Sequence, residues 1–312
     1  MDSDHYAGAV VPDDGTGRSA PQYPRFFVLK LLVSGAGGFT GRHFVAAARA
    51  RGYDVAQLQA NLGDREELMR EIGEIQPQLV VHLAAIAFVG HANNNAFYDV
   101  NVVGTTNLLD ALASLVQAPR RILLASSANV YGNCEHSPIT EDQTPAPVNH
   151  YATSKLAMEY MARIYLPKLP LFFVRPFNYT GPGQDAAFVI PKLVAHFARK
   201  ADVVELGNLN VEREFNDVRF VAEAYLQLLD KAESGAVYNV CTGNPVTLQA
   251  VIDALSRLSD HTMQIKVNPA FVRKNEIYRL CGSPEKLLAT TGPLFIPSLE
   301  DTLRGMLQMQ QS

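Results

Sequence analysis

The sequence predicts an α/β protein built on a doubly wound parallel sheet (a Rossmann fold) with a smaller α/β substrate-binding lobe, and two observations lead there. Short apolar runs alternate with helical stretches over the first half of the chain, as in parallel strands joined by crossover helices. Glycines also follow the first apolar run, at the turn where such folds bind phosphate groups. We expect a Rossmann domain over 26–175, with 217–242 returning to it, and a smaller second lobe formed by 176–216 and 243–312.

Composition excludes several classes of protein. The chain has 312 residues, 47% of them hydrophobic, enough for one large domain or two coupled ones. Thirty-one acidic residues against 27 basic ones give a net charge of −4 with no basic stripe, which argues against a nucleic-acid partner. The apolar runs are too short to span a membrane. The sequence also lacks a cluster with metal-ligand spacing, so we expect no metal.

The cysteines and the first residues indicate the compartment and the limits of the fold. Cys134, Cys241 and Cys281 are scattered without a Cys-x-x-Cys pair, which suits reduced thiols in the cytoplasm better than a disulfide framework. Residues 1–25 carry acids, glycines and prolines without a periodic apolar face. We predict that they are a disordered extension and not a signal peptide.

The first strand, predicted over 26–33, runs into a glycine-rich turn with a helix immediately after it. Gly35, Gly38 and Gly41 have the spacing Gly-x-x-Gly-x-x-Gly, with Phe39 and Thr40 between the last two. Glycine permits the tight turn, lets a pyrophosphate approach backbone N–H groups, and packs the helix on the strand. We therefore predict a dinucleotide site in this turn.

The second strand, 54–58, ends where an acid would bind a ribose or an arginine would bind a 2′-phosphate. Gln57 and Gln59 stand there and carry neither charge. Arg42 is the nearest cationic candidate, and a helix-surface role explains it equally well. The choice between NADP(H) and NAD(H) therefore stays open.

The third strand, 79–85, ends in small residues. Leu83, Ala84 and Ala85 would let a ring lie close to the backbone, and His82 is most simply a strand residue. A long helix follows over about 96–116, with an apolar stripe that suits the core and also a subunit contact.

A further strand and helix bring three polar side chains together. The run 122–125 ends at Ser126 and Ser127, and Tyr151 and Lys155 lie four residues apart on a predicted helix, which puts them on one face. A serine, a tyrosine and a lysine converging at a strand end can polarise a carbonyl oxygen. A single Tyr-x-x-x-Lys pair arises often by chance, so its weight comes from the order of the motifs.

In that order, the glycine turn, Ser127 at a strand end and Tyr151-x-x-x-Lys155 resemble the extended short-chain dehydrogenases/reductases that act on nucleotide sugars. The resemblance runs from about residue 26 to the C-terminus. It implies that Ser127, Tyr151 and Lys155 are catalytic, and that Lys155 lowers the pKa of Tyr151 from about 10. It also places Asn61 and Leu62 near adenine, where the family usually has Asp-Leu or Asp-Ile.

The second lobe narrows the implied substrate. The segment from Arg175 to Asn178, followed by Gly-Pro-Gly-Gln, is similar to the one with which GDP-mannose-type enzymes hold a sugar nucleotide. By that likeness Asn178 contacts the phosphates. Arg213 and Arg273, with Glu276, resemble a clamp for the diphosphate and ribose, in which guanidinium groups fork onto phosphate oxygens.

The reaction is implied by one departure from related enzymes. A 4,6-dehydratase needs an acid beside the strand-end hydroxyl, and this chain has Asn129 there, which cannot act as a general acid. The resemblance thus implies NAD(P)H-dependent reduction of the C4 keto group of a GDP-4-keto-6-deoxy sugar by a homodimer. A 4-epimerase with tightly held NAD, or a non-enzymatic dinucleotide sensor or scaffold, remains as an alternative.

Overall fold

The computed structural model of the protein describes residues 29–88, 92–271 and 277–311. Its strands are β1 (Lys30–Ser34), β2 (Asp54–Gln57), β3 (Leu79–His82), β4 (Arg121–Ala125), β5 (Leu171–Pro176), β6 (Tyr179–Thr180), β7 (Val203–Leu206), β8 (Glu212–Arg213), β9 (Asn216–Asp217), β10 (Val237–Val240), β11 (Val246–Thr247), β12 (Gln264–Val267) and β13 (Arg279–Leu280). Its α-helices are α1 (Phe39–Ala50), α2 (Arg65–Ile75), α3 (Asn94–Tyr98), α4 (Thr105–Ala113), α5 (His150–Arg163), α6 (Val189–Ala198), α7 (Val218–Lys231), α8 (Leu248–Ser259), α9 (Glu285–Thr291) and α10 (Leu299–Gln311).

Six strands form the main sheet in the order β10-β5-β4-β3-β1-β2, and every neighbouring pair is parallel. This confirms the predicted doubly wound sheet. The chain moves in opposite directions from β1, to β2 on one side and to β3 on the other. Ligands of such sheets bind outside the carboxyl ends of the strands at that reversal.

The sheet is covered by helices on both faces because its strands are apolar on both faces. In β1, Leu31 and Val33 pack in one core cluster with α1 and α7, whereas Leu32 packs in the opposite cluster with α2, α4 and α5. Alternate side chains of a strand point to opposite faces. A parallel sheet with two buried faces follows directly.

A further apolar core joins α6, α8 and α10 to β7, with Phe197, Leu255 and Leu303 among its buried members. The division into two lobes stays a prediction. Leu287 of α9 packs in the main-sheet core, although it belongs to the second predicted stretch of the smaller lobe.

A buried carboxylate ties the segment between β8 and β9 to the end of β10. Glu214 is fully buried, and its carboxylate accepts hydrogen bonds from the backbone N–H groups of Gly282 and Thr242, both at 2.7 Å. Hydrogen bonds to a charged acceptor are among the stronger ones in proteins. Glu214 thereby fixes the segment that carries its neighbour Arg213.

Several strand ends in the structure differ from the predicted ones. The first strand starts at Lys30 among the described residues, and residues 1–28 lie outside them. The prediction that the third strand reaches Ala85 is wrong: β3 ends at His82. The reason is that its partner β1 ends at Ser34, before Gly35 turns the chain with a φ of +69°.

The prediction of one continuous helix over 96–116 is also wrong. A π-helical segment, Asp99–Gly104, separates α3 from α4. The hydroxyls of Thr105 and Thr106 donate to carbonyl oxygens four residues earlier, and such bonds bend helices. Gly104 lies so close to Leu62 that an added Cβ would stand 2.8 Å from the leucine side chain.

Within 29–88, 92–271 and 277–311, none of the helices combines the length and the apolar character that a bilayer crossing requires. The cytoplasmic location and the homodimer stay predictions. Cys241 and Cys281 are buried as expected of small apolar side chains.

Candidate active site

Ser127, Tyr151 and Lys155 line one cavity of about 1270 Å³. Ser127 lies just past β4, and Tyr151 and Lys155 stand one turn apart on α5. That helix starts where it does because the Asn149 side chain caps it and accepts the N–H of Ala152 at 2.9 Å. The structure thus brings the three predicted catalytic residues together.

Burial controls the protonation of the tyrosine. Burial raises the pKa of the Tyr151 phenol to about 12, and a hydrogen bond with Ser127 opposes this rise. The expectation that Lys155 lowers the Tyr151 pKa is therefore wrong for the protein alone, because loss of solvation exceeds the stabilising contacts. The phenol keeps its proton near neutrality and can donate it.

Lys155 is buried as well. Burial lowers the pKa of its ammonium to about 8, against the opposing effect of the Glu159 carboxylate. Its Nζ donates a hydrogen bond to the Ala125 carbonyl at 2.8 Å. The cation is therefore fixed at the end of β4, beside Ser127.

Asn129 orients the serine. Its side-chain Nδ2 and its backbone N–H both donate to the Ser127 hydroxyl oxygen at 3.2 Å. With two donors on that oxygen, the Ser127 proton points elsewhere, toward Tyr151 or a ligand in the cavity. Sequence reasoning used Asn129 only to exclude an acid, and its place two residues after Ser127 was the available signal.

The glycine turn is shaped for close approach of a phosphate. An added Cβ on Gly41 would overlap the Gly35 carbonyl oxygen, and one on Gly35 would stand 2.6 Å from the Ala84 nitrogen. Gly38 lies just before α1, and all three glycines of the turn, Gly35, Gly38 and Gly41, line the cavity. Because backbone amides at a helix N-terminus bind anions, these residues fit the pyrophosphate of a dinucleotide.

Most of the predicted cofactor residues line the cavity, but some do not. Phe39, Thr40, Leu83 and Ala85 line it. Ala84 instead packs against Gly35 and donates its N–H to the Ser34 hydroxyl at 3.4 Å.

Asn61 and Leu62 lie outside the cavity lining. The side-chain oxygen of Asn61 accepts the Gly63 N–H at 2.8 Å, and Leu62 packs beneath Gly104. Their placement near adenine stays a prediction.

Two further residues predicted to bind substrate line the cavity, and two others lie outside the described residues. Asn178 and Arg213 line the cavity. The Asn178 Oδ1 is buried and accepts no hydrogen bond from the described residues, which suits a contact with a bound ligand. Arg213 donates to the carbonyls of Glu212 and Ile277. Arg273 and Glu276 lie outside the described residues, so their roles stay predictions.

Three lining residues escaped the sequence reasoning. Phe88 and Phe188 meet edge to face, with ring centroids 5.8 Å apart, and both line the cavity. Lys192 lines it as well, and its Nζ donates to the Glu205 carbonyl at 2.7 Å. Phe88 lies in a loop and Phe188 just before α6, so no periodic pattern in the sequence marks them as lining residues.

A buried polar network supports the end of β1. The ring of His82 hydrogen-bonds the Ser34 hydroxyl at 2.6 Å and the Thr105 hydroxyl at 2.9 Å. Because Thr105 donates to the Asn101 carbonyl at 2.8 Å, it accepts from His82 Nε2–H, and Nδ1 accepts from Ser34. Burial lowers the pKa of His82 to about 3, so the ring is neutral.

The same network reaches helix α5, which carries Tyr151 and Lys155. The Asn101 side chain donates to the Ser154 hydroxyl at 3.0 Å, and Ser154 donates to the Tyr151 carbonyl at 2.8 Å. Asn101 lies in the π-helical segment, a feature that occurs often at functional sites. Among the described residues, no group of three or more His, Cys, Asp or Glu side chains could hold a metal ion.

Comparison with known proteins agrees with this geometry. Residues 31–241 match the NAD dependent epimerase/dehydratase family. The chain is 35% identical to a GDP-6-deoxy-D-talose 4-dehydrogenase of Aggregatibacter actinomycetemcomitans, over 85% of this chain and 92% of that protein. It is 34% identical to a GDP-6-deoxy-D-mannose reductase of Pseudomonas aeruginosa, over 91% of this chain and 97% of that protein.

Solved structures share the whole architecture. A putative epimerase from Burkholderia cenocepacia J2315 superimposes with a TM-score of 0.86 at 42% identity, over 91% of this chain and 99% of that one. The structure of RMD from Pseudomonas aeruginosa complexed with NADPH superimposes with a TM-score of 0.83 at 32% identity, over 91% and 98%.

Proposed function

The chain belongs to the NAD dependent epimerase/dehydratase family and is an NAD(P)-dependent enzyme of the extended short-chain dehydrogenase/reductase type, and from that premise we propose that it reduces the C4 keto group of GDP-4-keto-6-deoxy-D-mannose to give GDP-D-rhamnose. The observation that carries the proposal is the joint position of Ser127, Tyr151 and Lys155 on the wall of one large cavity. Ligand cavities of proteins commonly measure about 300–1,000 Å³. A volume of about 1270 Å³ leaves room for a dinucleotide and a sugar nucleotide together.

The residues divide the work of reduction between them. A bound reduced nicotinamide supplies hydride to C4. Tyr151, whose raised pKa keeps it protonated, donates its proton to the oxygen on C4. Ser127 donates a hydrogen bond to the same oxygen, and the Asn129 amide holds it in that orientation. Lys155 contributes a fixed positive charge near the developing alkoxide.

The glycine turn and the second lobe hold the two ligands. Gly35, Gly38 and Gly41 would bind the pyrophosphate of the dinucleotide, with the N-terminus of α1 facing it. Asn178 and Arg213 would bind the diphosphate of the GDP-sugar, with the guanidinium forking onto its oxygens. Arg273 and Glu276 are proposed to complete that clamp.

One feature supports reduction over dehydration. Asn129 stands where a dehydratase needs an acid, and an amide cannot protonate a departing hydroxyl. A nucleotide-sugar 4-epimerase with tightly held NAD is the second candidate, and the likeness to a putative epimerase favours it.

The names of the two relatives support the choice of sugar. Both describe GDP-linked 6-deoxyhexoses, and talose and mannose differ only in configuration at C4. Oxidation at C4 therefore converts either sugar into the same 4-keto compound. The substrate proposal is common to both names, whereas the configuration of the product depends on which face of C4 receives hydride.

The test is direct. Purified protein is mixed with GDP-4-keto-6-deoxy-D-mannose and either NADPH or NADH, and loss of nicotinamide absorbance is followed. Stoichiometric oxidation with GDP-D-rhamnose as product supports the proposal, and GDP-6-deoxy-D-talose as product would correct its stereochemistry. Absence of oxidation, together with dinucleotide released on denaturing the fresh protein, would favour the epimerase.

A further inference from the structure

The carboxyl end of β2 is held by a carboxylate. The two oxygens of Glu71 accept the backbone N–H of Gln59 at 2.9 Å and that of Ala60 at 2.6 Å. Glu71 lies on α2, one helix turn from its C-terminal end, and reaches back to the loop that follows β2. The anion is therefore a fixed part of this loop.

This loop is where the adenosine half of a dinucleotide lies in a doubly wound sheet. Gln57, the last residue of β2, pairs with Val33, two residues before Gly35. The carboxyl ends of β1 and β2 are thus adjacent, and the glycine turn and the Gln57–Ala60 segment share one edge of the sheet. A ligand whose pyrophosphate lies on the glycine turn extends toward this edge.

A 2′-phosphate on that adenosine needs free N–H groups or a cation. The sequence from Asp54 to Asp64 contains no arginine and no lysine. The N–H groups of Gln59 and Ala60 already bind Glu71, and the Gln59 side chain donates to the Gln57 carbonyl at 2.9 Å. A ribose hydroxyl can bind here, since glutamine offers both a donor and an acceptor.

Arg42 of α1 and both arginines of α2 have partners elsewhere. Arg42 donates to the carbonyls of Gly37 at 3.0 Å and Gly183 at 2.9 Å. It thereby links the glycine turn to the loop after β6. On α2, Arg70 pairs with Glu74 at 3.2 Å, and Arg65 pairs with Asp110 at 3.2 Å.

We propose that Glu71 makes the coenzyme site select the dinucleotide without a 2′-phosphate, so that the protein binds NADH in preference to NADPH. The proposal rests on the dinucleotide site of the proposed function and not on the identity of the sugar. The Glu71 carboxylate and the 2′-phosphate of NADPH are both negative and would repel each other at the end of β2. In a partly exposed loop, one such pair changes the affinity for NADPH by about tenfold. RMD from Pseudomonas aeruginosa, by contrast, was solved in complex with NADPH.

Direct binding measurements test this without turnover. Dissociation constants for NADH and NADPH are measured by calorimetry on the wild type, Glu71→Gln and the control Glu74→Gln. Glutamine keeps one of the two acceptor oxygens that hold the loop and removes the charge, and Glu74 is an exposed carboxylate on the same helix. We expect the wild type to bind NADH about tenfold more tightly than NADPH. In Glu71→Gln the ratio of the two dissociation constants should fall at least about fivefold, because NADPH binds more tightly. Glu74→Gln should show the wild-type ratio.

Two results would overturn the proposal: NADPH bound as tightly as NADH by the wild type, or an unchanged ratio in Glu71→Gln. If that variant does not fold, the salt dependence of the wild type decides. Added salt screens a repulsion and narrows the ratio, whereas it weakens an attraction and widens it. Binding of neither dinucleotide would instead contradict the dinucleotide site itself, while failure with the keto sugar alone would leave this proposal intact.

Discussion

The side-chain amide of Asn129 donates to the hydroxyl oxygen of Ser127 at 3.2 Å. This contact fixes the direction of the Ser127 proton, because an oxygen that accepts two N–H donors directs its own O–H away from them. Tyr151 lines the same cavity as Ser127, and the influence of Ser127 opposes the rise that burial causes in the Tyr151 pKa. Asn129 therefore leaves the Ser127 proton free for a ligand in the cavity, where the proposed function places the C4 oxygen of the sugar.

We predict that Asn129→Asp slows reduction by about 10²–10³-fold, the scale of losing one oriented donor to the reacting oxygen. An aspartate can only accept, so it draws the Ser127 proton away from the substrate oxygen. The measurement is kcat for the keto sugar at saturating dinucleotide, with KM recorded alongside. Asn133→Asp, an exposed neighbour in the following loop, serves as the control for added charge. Equal kcat for wild type and Asn129→Asp would contradict this role.

Tyr151→Phe should lower kcat by about 10²–10⁴-fold, the usual contribution of general acid–base catalysis. Dinucleotide binding should stay nearly unchanged, since the phenyl ring keeps its packing against Phe97. Turnover and the dissociation constant are measured on the same preparation. Tyr160→Phe, on the same helix but 64% exposed, should match the wild type. A fully active Tyr151→Phe enzyme would remove Tyr151 from the mechanism.

The sequence predicted the sheet and the meeting of Ser127, Tyr151 and Lys155 at one cavity because both depend on short-range patterns. Apolar runs define the strands, and the carboxyl ends of parallel strands necessarily meet at one edge. Ser127 lies two residues past the end of β4, and Tyr151 and Lys155 share a helix face, so their meeting needed little tertiary information. The direction of the Tyr151 pKa shift could not be predicted in this way, because it depends on burial and therefore on the packing of the whole site.

Other features depended on contacts between distant segments. The π-helical segment after α3 packs against a distant part of the chain, since Gly104 lies close to Leu62, and a helical pattern does not reveal such a contact. The sequence pattern of α2 predicts Glu71 as a surface residue. Its carboxylate nevertheless accepts two backbone N–H groups of the loop after β2. The same holds for Glu214, whose buried hydrogen bonds join segments far apart in sequence.

Gly41→Ala should destabilise the fold and abolish dinucleotide binding. An added Cβ would overlap the Gly35 carbonyl oxygen, so the turn or helix α1 must shift, and overpacking of this kind typically costs about 1–3 kcal/mol. Gly37→Ala is the matched control in the same turn, since an added Cβ there meets nothing within 4 Å. Thermal melts and NADH titrations compare the two variants. Loss of binding in both, or in neither, would show that close approach at Gly41 is not what the site requires.

His82 should make the protein sensitive to acid. Burial, with a smaller effect of Lys155, lowers its pKa from 6.5 to about 3. Between those values the unfolded chain binds a proton that the folded protein excludes, so stability falls as pH drops from about 6.5 toward about 3. At about 1.4 kcal/mol per pKa unit, the loss at pH 5 is about 2 kcal/mol.

Denaturant unfolding of wild type and His82→Gln at pH 7 and pH 5 measures this loss. Glutamine keeps a donor and an acceptor for Thr105 and Ser34 but does not titrate, so we expect a lower free energy of unfolding at pH 7 and a smaller decrease on acidification. His136→Gln, which replaces an exposed histidine, should follow the wild type at both pH values. Parallel decreases in wild type and His82→Gln would mean that carboxylates elsewhere, and not this buried ring, govern acid sensitivity. A smaller decrease only in His82→Gln would establish that the ring which supports the end of β1 must stay neutral.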